Sequence, residues 1–135
     1  MTTPFEPIAI VGRSCLLPGA LSPEALWEAV ASGQDLLSSA PPGRWGTLAA
    51  HAQGTPESSA DRAWSDRGGY VSGFEQVFDP SGFAIPAEQI VGLDPLFQWV
   101  LHTSREGLRD AGITDTHRAG LVLGNLSFPS SSMSR

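Results

Sequence analysis

Ile8-Ala9-Ile10-Val11 is an unbroken apolar run closed by Gly12. A strand reads this way when both of its faces are covered, so the run predicts a central, parallel strand. Ser22-Pro23-Glu24 then has the order of a helix start: a hydroxyl to accept from free amides, proline at the first turn and an early carboxylate. Gly33 marks its end, and Leu26, Trp27 and Val30 fall on one face, opposite Glu24 and Glu28. That apolar face is expected to lie on a sheet.

From Leu36 to Tyr70 the pattern dissolves into prolines, glycines, serines and scattered charges around Trp45 and Trp64. It keeps neither a two-residue nor a helical period and predicts a long surface excursion, about 36–70, of a kind uncommon inside a single domain. Gly73 to Phe83 carries aromatics and the turn residues Asp79-Pro80-Ser81-Gly82, and Pro86 to Val91 predicts a short helix.

Periodicity returns between Asp94 and Gly112, with Asp94 as cap, Pro95 in the first turn and glycine beyond the end. Leu96, Val100, Thr103 and Gly107 form one row and Phe97, Leu101, Ser104 and Leu108 the next. The stripe is broad and includes small residues where another backbone can approach, so the helix is expected to be buried along most of its length. Ala119 to Gly124 is a second apolar run bounded by glycine. Strand, helix, excursion, helix and strand together predict an α/β layered fold with a right-handed crossover. The tail, 127–135, has no structural ending of its own.

Composition narrows the chemistry. A length of 135 residues suits one domain, and 41% hydrophobic with 16% charged residues is a globular balance. The formal net charge is −6, without a basic block able to neutralise a run of phosphates, so nucleic acid is not an expected partner. No apolar stretch approaches the roughly 18 residues of a membrane span, and Met1 to Glu6 does not read as a secretory leader. A cytoplasmic location is expected, with no membrane partner. Cys15 is the single cysteine, which excludes an internal disulfide and any multi-thiolate metal site.

His102 falls with Gln98, Arg105 and Arg109 on the polar side of the long helix and is expected to be a solvated histidine near Glu106. His51 and His117 fall in loops, and the three histidines have no metal-ligand spacing. Gly12 to Gly19 lacks both dinucleotide and phosphate-loop patterns, so no bound nucleotide is expected. Ser130, Ser131, Ser132 and Ser134 read as part of an interrupted segment.

Four stretches, in order and with matching spacing, carry a resemblance that spans nearly the whole chain. They are Pro7-Ile8-Ala9-Ile10-Val11-Gly12 with Cys15 and Pro18-Gly19; Ser22-Pro23-Glu24-Ala25-Leu26-Trp27; Phe78-Asp79 through Phe83; and Asp94-Pro95 leading to Asp110-Ala111-Gly112-Ile113. Together they resemble the N-terminal part of a β-ketoacyl synthase (ketosynthase) domain of a polyketide or polyunsaturated-fatty-acid synthase. Arg13-Ser14, Leu16-Leu17 and Leu96-Phe97-Gln98 depart from typical modular synthases, and the residues around Asp94 look closer to the polyunsaturated-fatty-acid type.

The resemblance implies an α/β fold, here the incomplete N-terminal portion of a thiolase-like αβαβα layered architecture occupying 1–135, in a parent that is an acyltransferase and a homodimer. It implies decarboxylative Claisen condensation in fatty acid or polyketide synthesis. A cysteine takes an acyl group from phosphopantetheine on an acyl carrier protein, and two histidines assist; no cofactor is bound directly. In the family the nucleophile follows a further helix and strand beyond the one that Leu121 to Gly124 resembles, so this chain is expected to hold no catalytic residue and to be inactive by itself. Cys15 resembles a non-catalytic family cysteine, and Asn125, Leu126 and Ser127 lie in the neighbourhood of the acyl pocket. The remainder of the synthase domain is then an expected partner. The alternative is a naturally short, non-catalytic ketosynthase-like module that pairs with a synthase subunit or with itself.

Overall fold

The computed structural model describes residues 6–44 and 63–124. The chain divides into two units, one formed by Cys15–Val77 and the other by Met1–Ser14 with Phe78–Arg135.

In the Cys15–Val77 unit, Leu17 and Ala20 exchange backbone hydrogen bonds of 2.9 and 3.0 Å across the turn at Pro18-Gly19. Helix α1, Pro23–Ala31, follows, and the Ser22 hydroxyl accepts from the Ala25 amide at 3.2 Å, as the sequence predicts. Its far end closes in a left-handed turn at Gly33: the Gly33 amide donates to Val30 O and the Gln34 amide to Ala29 O, which satisfies carbonyls the helix leaves open. The inward face differs from the expected one. Ala29 is buried, whereas Trp27 is 71% exposed and Val30 64%.

The excursion is fastened at its base. Strands β1, Ser38–Ser39, and β2, Arg67–Gly68, pair antiparallel with Ser38 opposite Gly68. The Arg67 guanidinium pairs with the Asp35 carboxylate beside this clasp, and the Tyr70 hydroxyl donates to Asp66 O at 2.8 Å. The ion pair is exposed and contributes little; the backbone pairing does the closing. Helix α2, Phe74–Val77, which the sequence pattern did not predict, buries Phe74.

In the other unit, the short helix expected at Pro86 to Val91 is α3, Ala87–Val91, and the long one is α4, Pro95–Asp110. Asp94 accepts from the Leu96 amide at 3.0 Å. At the opposite end Gly112, at φ 66°, lets its own amide reach Arg109 O and the Ile113 amide reach Leu108 O, a bend that side chains with a Cβ resist. The Gln98 amide nitrogen joins the two helices by donating to the carbonyls of Ile90, Val91 and Leu93 at 3.2, 3.1 and 2.9 Å. Ile90 beneath them is fully buried.

Residues 12–14 run along α4. The Ser14 hydroxyl donates to Thr103 O at 2.6 Å, and the Arg13 amide donates to the Asp110 carboxylate at 2.7 Å. A Cβ on Gly12 would stand 2.4 Å from Gly107 O and 2.7 Å from the Ala111 Cβ. The row of small residues on α4 therefore does admit another backbone. The helix is nonetheless half-buried along most of its length; only His102 among its residues is fully buried, and Phe97 is 58% exposed.

Neither apolar run forms a strand. Ile8 is 81% exposed, Ile10 88% and Val122 97%, and no strand among the described residues pairs with either run. An extended segment becomes a strand only when another backbone takes up its amides and carbonyls.

Replacing Gly12 by alanine is expected to destabilise the chain by about 1–3 kcal/mol, because a backbone oxygen must move, and by valine more. Gly92→Ala, at φ −80° and ordinary contact distance, is expected to be neutral or slightly stabilising. Denaturant midpoints of the three variants check this.

Candidate functional site

A groove of about 430 Å³ lies along α4. Thr103, Ser104, Gly107 and Leu108 form its helical wall, and Thr116 and Leu121 stand among the residues opposite. The wall is concave because Thr103 and Ser104 are small and Gly107 has no side chain. The Thr103 hydroxyl is turned back onto Trp99 O at 2.8 Å, which leaves its methyl group as the apolar part. Among the described residues, no ionisable side chain lines the groove. It can seat apolar or backbone atoms, and the described residues bring no acid or base to it.

Cys15 belongs to the other unit and is half-buried. Burial pushes its thiol above the ordinary value, and the Glu24 carboxylate pushes it further in the same direction. Both disfavour the thiolate, the form that attacks thioesters.

His102 departs from expectation. It is 5% exposed, with its ring edge against the Phe78 ring at a centroid distance of 6.2 Å and an interplanar angle of 76°. Phe78, which helical periodicity does not register, is one of the residues against it. The sequence did hold one signal, two phenylalanines bracketing the turn Asp79-Pro80-Ser81-Gly82. His117 is exposed and paired with Asp115 at 2.7 Å. His51 and the pocket-neighbourhood residues Asn125, Leu126 and Ser127 lie outside the described residues, as do Ser130, Ser131, Ser132 and Ser134.

Among the described residues no group of three or more His, Cys, Asp or Glu side chains is placed to hold a metal ion. No helix among them is long and apolar enough to cross a membrane.

The sequence profile of the β-ketoacyl synthase N-terminal domain matches residues 5–131. The chain belongs to this family. Its relatives include the mycoketide-CoA synthase of Mycobacterium tuberculosis, 38% identical over 88% of this chain, and the pikromycin polyketide synthase component PikAII of Streptomyces venezuelae, 37% identical over 88%. Among solved structures, a PfaC keto synthase–chain length factor matches at a TM-score of 0.81 and 35% identity, over 92% of this chain. The ketosynthase chain spans 3% of each of the two synthases and 13% of that solved chain. Its fold class is thus the expected one, α/β and part of a thiolase-like ketosynthase. The joint match of the four stretches was the signal that found the family; no single residue of the site was sufficient.

The Cys15 thiol is expected to alkylate with iodoacetamide more slowly than a free peptide cysteine near neutral pH, with the rate rising only above the ordinary thiol midpoint of about 8.5. A rate–pH profile followed by mass spectrometry measures it.

Proposed function

We propose that this chain is the N-terminal portion of a condensing enzyme that forms β-ketoacyl thioesters by decarboxylative Claisen condensation on carrier-protein-bound acyl groups. The profile match over residues 5–131 carries the reading. In such an enzyme the acyl and extender groups arrive on phosphopantetheine arms of an acyl carrier protein, in the cytoplasm, and two copies of the synthase pair.

By this reading the chain alone is inactive and contributes framework to a larger domain. Two observations support that division. The single cysteine, Cys15, has a thiol held in its protonated form. The groove beside α4 has no ionisable lining among the described residues. The cysteine and two histidines that perform the chemistry belong to the remainder of the synthase domain, the first partner. Ile8 to Val11 and Leu121 to Leu123, which are exposed here, are the surfaces it covers, as adjoining strands of one sheet. The same exposure favours a second reading, a short non-catalytic module that pairs with a synthase subunit or with itself.

An antibody against Asp94 to Gly112 separates the two readings in the source cells. A species far above 14.2 kDa is expected, and a species of that mass favours the module. Purified chain mixed with acyl- and malonyl-carrier protein is expected to give no β-ketoacyl product. Acyl-thioester labelling at Cys15 that disappears in Cys15→Ser would overturn the assignment of the chemistry to other residues.

A further inference from the structure

We draw no further inference here: the strongest candidate, the apolar groove between Thr103, Ser104, Gly107 and Leu108 of α4 and the segment carrying Thr116 and Leu121, carries none because nothing in the structure shows what covers it.

Discussion

Residues 12–14 lie so close to the helix Pro95–Asp110 that the unit they form depends on one missing side chain, that of Gly12. With a Cβ at position 12 the segment would collide with Gly107 O and with Ala111. The approach lets Ser14 reach Thr103 O and the Arg13 amide reach Asp110, so these polar groups at the helix surface find partners on the passing chain. It also fixes where the apolar run before Gly12 leaves the helix. The Ser14 hydroxyl is used in this contact.

Around that contact, local chemistry decides where elements start and stop. Ser22 and Asp94 accept from helical amides, and Gly33 and Gly112 end their helices in left-handed turns. Gln98 performs a similar service between elements, binding the last carbonyls of α3 from the first turns of α4. In the other unit the ends of a long excursion are held by a pairing only two residues long. Little apolar surface is committed here. Among the described residues the buried apolar side chains are Ala20, Ala29, Phe74 and Ile90, a small set beside the exposed runs at 8–11 and 121–123.

Membership of the ketosynthase family and the chemistry on the page point in complementary directions. The family is one of condensing synthases; in this chain burial and Glu24 push the Cys15 thiol above its ordinary value, and no ionisable side chain among the described residues lines the groove. The buried histidine packs against the Phe78 ring. Its neighbours Arg105 and Glu106 are engaged with the 78–83 turn and with Arg109, which makes this corner a polar joint between loop and helix.

Helix caps, turn residues and the order of the four family stretches were legible in the sequence because each depends on residues within a few positions of one another. Asp94 capping α4, the helix near Ala87 and the ends at Gly33 and Gly112 all follow from such local rules. Burial was not legible in the same way. Periodicity placed His102 on a polar face and Trp27 on an apolar one, and the structure reverses both, because the covering surface comes from elsewhere in the chain: Phe78 covers His102, while Trp27 faces outward. The apolar runs at 8–11 and 119–124 have the composition of strands, but whether they become strands rests on backbones that sequence windows do not contain. Residue pattern thus determined the family, the helices α1, α3 and α4 and their ends; only tertiary structure decided which faces are covered, since desolvation and strand pairing are properties of contacts between distant segments.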